Sequence, residues 1–200
     1  FCDTCCEEEL RELGESYWHV SHALPAVAVC ARHERVLRIC PVRLLERCNT
    51  ANILPQEATG ESAVLNANHD ILLAIARESV SALHNDLDLH FCTRSSYRAV
   101  GASLGYGPYK GTGTLTGYEL ARDFEAYFGA ALLRALGISL QPELPVAWPY
   151  SLLCGHHSLP QVQLKHVLMR VFLKHKSPGA LEASILSLIH ISEPTRQAEI

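Results

Sequence analysis

Four residues near the start of the chain have the types and the spacing to hold a metal ion. Cys2 and Cys5 form a C-x-x-C pair, Cys30 and His33 form a C-x-x-H pair, and twenty-four residues separate the two pairs. Together they offer three thiolates and one imidazole, a donor set suited to tetrahedral Zn²⁺. Two-residue spacing lets both members of a pair point at one ion from a tight turn. Four protein ligands saturate the ion, which points to a structural role, since a catalytic zinc keeps a position open. Other donors stand nearby. Cys6 could replace Cys5, and His19 and His22 lie between the pairs and could also ligate. Cys40 and Cys48 could anchor a second site, but no second pair has the same spacing. The competing reading of Cys2, Cys5 and Cys30 is ordinary buried thiols. Cys92 reads as a buried thiol, and Cys154, His156 and His157 as loop residues before a helix.

The elements that must position these donors are short. Residues 1–48 hold six of the eight cysteines and one of the two tryptophans, Trp18. A unit of this size builds little core, so the metal would supply much of its folding free energy, on the order of 10–16 kcal/mol in zinc-finger peptides. Tyr17 and Trp18 are expected to cover the metal, with Leu24, Val27 and Val29 packed on them. Pro25 turns the chain, and residues 27–29 read as a short strand delivering Cys30. Residues 49–66, rich in Asn, Thr, Gly and Pro, read as a linker or loop.

A helical domain is expected over 67–180. Asn68 caps a helix over 68–84, with Leu72, Ile75, Ala76 and Leu83 near one face. Residues 95–104 form a short helix, and a glycine-rich run from Gly105 to Gly113 breaks the pattern. Thr116 caps a helix to about Leu136, with Leu120, Phe124, Phe128 and Leu132 four apart, and Gly137 stops it. Residues 138–150 carry three prolines and read as an irregular connector. The last helix begins near Pro160 and buries the stripe Leu164, Val167, Leu168, Val171 and Phe172. Ser177, Pro178 and Gly179 end it. The expected fold is mostly α, with a small zinc-ribbon-like or treble-clef-like N-terminal unit.

Composition narrows the function. The 200 residues are 48% hydrophobic, which excludes wholesale disorder, and carry a net charge of −4, which excludes a polycation coating nucleic acid. No apolar run approaches the ~20 residues of a membrane span, and no signal segment opens the chain. Eight cysteines at metal-like spacing indicate a reducing, cytoplasmic compartment. Met169 is the only methionine and Phe1 the first residue, as in an internal fragment of a longer protein. Leu186 to Arg196, LSLIHISEPTR, resembles the in-frame translation of a sequencing adapter, so residues 186–200 read as adapter read-through. Without them the net charge is −3.

Two local excesses of positive charge are candidate nucleic-acid contacts. Arg32, Arg35, Arg38, Arg43 and Arg47 follow the second metal pair against Glu34 and Glu46. Residues 165–176 carry Lys165, Arg170, Lys174 and Lys176 and no acid. On a helix, His166, Arg170 and Lys174 lie four apart, opposite the apolar stripe, where they could line up with phosphates. The alternative is a solvated face whose cations suit the helix C-terminus. A helix-turn-helix over 95–129 would have an unusually long connector. Nothing resembles H-E-x-x-H, G-x-S-x-G or a phosphate loop, so an enzyme is not expected.

Residues 2–37 resemble the zinc-finger signature of the TniQ/TnsD family, target-selection proteins of bacterial transposons. The family pattern is C-x-x-C, an acidic stretch, then G-x-x-Y-W-x-x-x-H-x-L-P-x-V-x-V-C-x-x-H. It stands here as Cys2, Cys5, Glu7 to Glu9, Gly14, Tyr17, Trp18, His22, Leu24, Pro25, Val27, Val29, Cys30 and His33, followed by Leu37. Residues 118–136 and 156–173 look like the family's later helices, with His166 in the place of a histidine on a leucine-rich helix. The region that usually precedes the first pair is missing. His19 and Val20 stand where the family often has basic residues, and Glu34 where glycine is common. The resemblance implies target-site selection in DNA transposition, with DNA, an AAA+ transposition regulator and other transposition proteins as partners, and no bond cleavage. A second form of the same reading is a protein–protein adaptor that does not itself touch DNA.

Overall fold

The computed structural model of the chain describes residues 1–40, 53–84, 92–106, 114–141, 148–154 and 162–179. The fold is mostly helical, with an N-terminal Cys/His cluster, and divides into two units, Phe1–His84 and Asn85–Ile200. No helix among the described residues is long and apolar enough to cross a membrane.

The first unit opens with helix α1 (Asp3–Leu13). Asp3 in the first turn and Arg11 in the last suit the helix dipole, and Gly14, at φ 84°, ends the helix by returning its N–H to the Leu10 carbonyl. Cys2, Cys5, Cys6 and Glu9 recur at helical spacing and form its buried face. After a single helical turn at Val20–His22, the chain reaches Cys30 and a two-stranded antiparallel sheet of β1 (Arg38–Ile39) and β2 (Glu61–Ser62). The backbones of Phe1 and Arg38 exchange two hydrogen bonds of 2.8 Å, which sets Cys2 beside Leu37. Helix α2 (His69–His84) closes the unit. Asn68 caps it as expected, its side chain accepting from the Asp70 N–H at 2.9 Å. Leu72, Ile75 and Ala76 are buried, while Leu83, two turns further along the same face and next to the helix end, is 43% exposed.

The division differs from the expected one of 1–48, 49–66 and 67–180. Of the expected linker, residues 53–66 are described, and they are tied to the metal-site end of the unit. Ser16 and Gln56 exchange backbone and side-chain hydrogen bonds of 3.0 and 3.1 Å, and Trp18 Nε1 donates to the Ile53 carbonyl. The Ala63 N–H donates to the Leu37 carbonyl at 2.8 Å. Helix α2 also belongs to this unit: His69 Nε2 donates to the Glu34 carbonyl at 2.9 Å, and Arg77 pairs with the Glu34 carboxylate. Asn, Thr, Gly and Pro serve short turns and two-residue strands as readily as they serve linkers.

The second unit contains α3 (Cys92–Ser103), α4 (Thr114–Phe128), α5 (Ala130–Ala135), α6 (Tyr150–Cys154) and α7 (Val162–Lys176). Helix α3 packs on α6, and α4 on both α5 and α6. Phe124 is fully buried, with ring centroids 4.6 Å from Phe128, 4.7 Å from Trp148 and 5.1 Å from Phe172. The expected stripe on α7 is buried throughout. Helix α6 begins at Tyr150, the last residue of the expected irregular connector, and the connector between α3 and α4 lies largely outside the described residues.

One expected helix is two. The helix expected from Thr116 to Leu136 breaks at Gly129, which sits at φ 80°, ψ 138° between α4 and α5. The side-chain rhythm survives the break: Leu120, Phe124, Phe128 and Leu132 are all buried. Backbone bonds from Gly137 to Arg134 and from Ile138 to Leu133 end α5 where Gly137 was expected to stop the helix. A Cβ at Gly129 would meet open space, so the constraint is conformational rather than steric crowding. Gly129→Ala should therefore destabilise this unit by about 1–3 kcal/mol, the cost of a conformation nearly confined to glycine. Urea unfolding followed by helical circular dichroism reads this directly, and an unchanged midpoint would contradict it.

Asp123 ties α4 to its surroundings. It accepts the Tyr106 hydroxyl at 2.7 Å and faces Arg122 at 3.3 Å and Lys176 at 3.8 Å. The Tyr106 hydroxyl chiefly, then the two cations, hold its carboxyl below the ordinary value of 3.8. Its contribution is complete above that value and is lost as pH falls through the lower folded-state value. Asp123→Asn is expected to flatten the acid limb of the unit's thermal stability below about pH 4, since only a group with that shift carries this dependence. Superimposable acid limbs for the two proteins would refute the assignment.

Candidate metal centre

The two halves of the centre come from different local structures. Cys2 is the N-cap of α1, at φ −111°, ψ 126°, and Cys5 lies in the first turn. The sequence reading placed this pair in a tight turn; helix geometry does the same work and brings both sulfurs to the N-terminal end of α1. Cys30 and His33 do occupy a tight turn. The Glu34 N–H donates to the Cys30 carbonyl and the Cys30 N–H to the Arg35 carbonyl, each at 2.8 Å, and Val29 bridges Val36. That single bridge stands where a strand over 27–29 was expected. Glu34 turns the chain at φ 56°, a left-handed conformation that glycine adopts without strain.

The donor atoms of Cys2, Cys5, Cys30 and His33 all lie within 4.8 Å of one another. His33 Nδ1 is 3.7, 3.2 and 3.7 Å from the sulfurs of Cys2, Cys5 and Cys30, and the Cys5 and Cys30 sulfurs are 3.8 Å apart. Metal bonds of about 2.3 Å to sulfur and about 2.0 Å to nitrogen imply tetrahedral edges of roughly 3.8 and 3.5 Å. The four residues therefore fit a tetrahedral metal ion. Burial pushes the Cys5 thiol up, and the neighbouring Cys30 and Cys2 push it further. Crowded buried thiols of this kind release their protons to a metal ion.

The competing donors stand outside this set. Cys6 is buried against Ser16 and Glu9, and burial raises its thiol. His19 Nε2 lies 2.5 Å from Glu9 Oε1. His22 Nε2 reaches only Cys5, at 3.9 Å, and burial first, then His19, pushes its pKa down to about 4. Cys40 is half-buried and joins no cluster among the described residues. Cys48, His156, His157 and the thiols of Cys92 and Cys154 lie outside what is described. The cover also differs from expectation. Cys2, Cys5 and Cys30 pack with Leu37 and Val27, while Tyr17 and Trp18 are 51% and 47% exposed.

Two acids that the sequence reading named only within the acidic stretch, with no role, lie beside the centre. Glu8 and Glu9 follow Cys5 by three and four residues, so α1 carries them on the face that presents the thiols. Glu9 accepts from the Tyr17 N–H at 3.2 Å besides facing His19. Glu8 Oε2 lies 3.2 Å from His33 Nε2 and 2.8 Å from Arg32. The helical signal was available: acids in the first turns, Arg11 in the last and Gly14 directly after.

The candidate nucleic-acid residues belong to both units. Arg32 is exposed but paired with Glu8. Arg38 donates to the Gly60 carbonyl from Nε at 3.0 Å and Nη2 at 2.7 Å, and faces Asp3 at 3.5 Å. Arg35 is exposed. Arg43 and Arg47 lie outside the described residues. On α7, Lys165 sits 6.0 Å over the Trp148 ring, and burial pushes its pKa down. Arg170 and Lys174 are half-buried and have contacts within the chain. His166 does not share a solvent face with them: it is 7% exposed, and its Nδ1 is 3.2 Å from the Tyr97 hydroxyl. The i, i+4, i+8 row that it starts runs along the edge of the core.

Fold and site together define a mostly helical protein with a buried Cys₃His group able to hold a metal ion. No protein-family model matches the chain, and no curated protein matches it.

Proposed function

We propose that the chain selects target sites in DNA transposition as an adaptor of the TniQ/TnsD kind, with a structural Zn²⁺ at Cys2, Cys5, Cys30 and His33. The observation that supports this is selective. Of the many thiols and imidazoles in residues 1–40, the four that converge are the two pairs of the resembled signature. Zinc suits three thiolates and an imidazole, and four ligands leave no position for substrate. The protein breaks no bonds in this reading. It works in the cytoplasm, where thiols stay reduced, and recruits an AAA+ transposition regulator.

Charge favours protein contact over DNA contact at the zinc unit. Arg32 and Arg38 are already engaged by Glu8, Asp3 and the Gly60 carbonyl, and Glu7, Glu12 and Glu15 are exposed nearby in sequence. Exposed Arg35 and the cations of α7 support the second reading, direct binding of target DNA. Titration with duplex DNA separates the two. Six to ten phosphate contacts would weaken binding by roughly 10³–10⁵ between about 50 and about 200 mM salt. The adaptor reading expects weak DNA binding at either salt and ATP-dependent association with the regulator. Tight, steeply salt-dependent DNA binding would overturn it.

A further inference from the structure

We infer that Glu8 is a positioning residue for the metal ligand His33, and that Arg32 acts on the metal centre by fixing Glu8. The inference rests on the metal reading above. His33 turns Nδ1 toward three sulfurs at 3.2–3.7 Å. A metal ion takes the lone pair of that nitrogen, so the neutral ring carries its proton on Nε2. Nε2 is buried and has no hydrogen-bond partner. The acceptor facing it is Glu8 Oε2, at 3.2 Å, itself buried and without a hydrogen bond of good geometry. Two complementary buried atoms thus face each other at bonding distance, and metal ligation places the proton between them. A carboxylate behind a ligating histidine fixes the ring's tautomer and orientation and strengthens it as a donor.

Arg32 completes the arrangement. It lies between Cys30 and His33 in the ligand turn and reaches back 2.8 Å to the same Glu8 oxygen. Helix α1 therefore presents two thiolates directly and steadies the fourth ligand through Glu8, one turn further on. The turn holds that carboxylate in place with its own arginine. This gives Arg32 a task that needs no phosphate.

The test is zinc affinity of the whole chain, measured by competition with a chromogenic chelator. Glu8→Ala should weaken zinc binding 10–100-fold, the usual cost of removing such a partner. Glu8→Gln keeps an acceptor and should lose less, which also covers the case where the alanine variant folds poorly. Arg32→Ala should cause a smaller loss that disappears when Glu8 is already alanine. The His33 Nε2–H, followed by ¹⁵N NMR, should resist solvent exchange in the parent and exchange rapidly in Glu8→Ala. Affinities within about twofold of the parent, or an Arg32 effect that persists without Glu8, would overturn the assignment while leaving the zinc site standing. A parent chain that binds no zinc would overturn both.

Discussion

Cys30→Ala is expected to abolish metal binding and unfold residues 1–84, while α3 to α7 stay folded. The reason lies in what the first unit has for a core. Around the centre the buried cluster is Cys2, Cys5, Cys30 and Leu37, so three of its four members are the ligands themselves. Metal binding to such sites supplies on the order of 10–16 kcal/mol, against about 5–15 kcal/mol of net stability for a whole domain. With one ligand gone, Cys2 and Cys5 remain as crowded thiols at a helix end, and little holds the Cys30–His33 turn against α1. Elemental analysis should find about one zinc per parent chain and none in the variant. Hydrogen exchange should show α1 and α2 unprotected, with α7 unchanged. A metal-free variant with protected α1 amides would show that the cluster is a thiol-rich core and no metal centre.

The second large effect separates the units from the other side. Phe124→Ala removes a fully buried ring that meets Phe128, Trp148 and Phe172 at 4.6–5.1 Å. Such truncations cost about 3–5 kcal/mol, because the cavity collapses only in part. At roughly 4–8 °C per kcal/mol for a small domain, the melting temperature of α3 to α7 should fall by more than about 10 °C. Zinc content should not change, since all four ligands and Glu8 come from residues 1–84. Loss of zinc in step with helicity would show that the two units fold as one.

Residue type and spacing were enough to find the four residues that converge, because a group able to hold a metal ion needs particular atoms at particular separations. They did not show how each pair is held. The C-x-x-C pair reads as a turn in isolation, and only the acids and Gly14 downstream mark it as the start of a helix. The stripe on α7 and the Asn68 cap were equally legible, since each rests on short-range geometry. The break at Gly129 was not. Apolar spacing of four continues across it, and periodicity alone does not distinguish one helix from two that share a buried face. His166 misled for a related reason. A polar residue at the edge of a stripe looks solvated until a partner such as Tyr97 is found on another helix. Glu8 was hidden because carboxylates on a helix are normally at the surface.

The distance along the chain between the two ligand pairs has a consequence of its own. Each pair is local, one within a helical turn and the other within a hairpin-like turn, so the spacing inside each half-site is set by its immediate neighbours. An ion joining them closes a loop of some two dozen residues, as a cross-link would. The entropy of that closure grows only with the logarithm of loop length, and doubling the intervening chain adds about 0.6 kcal/mol. Against the free energy of coordination this is small. Loop closure by the ion therefore constrains the two ends of the segment strictly and its length hardly at all, so what fixes the segment's length is its own hydrogen bonds, from Ser16 to Gln56 and from Trp18 to Ile53.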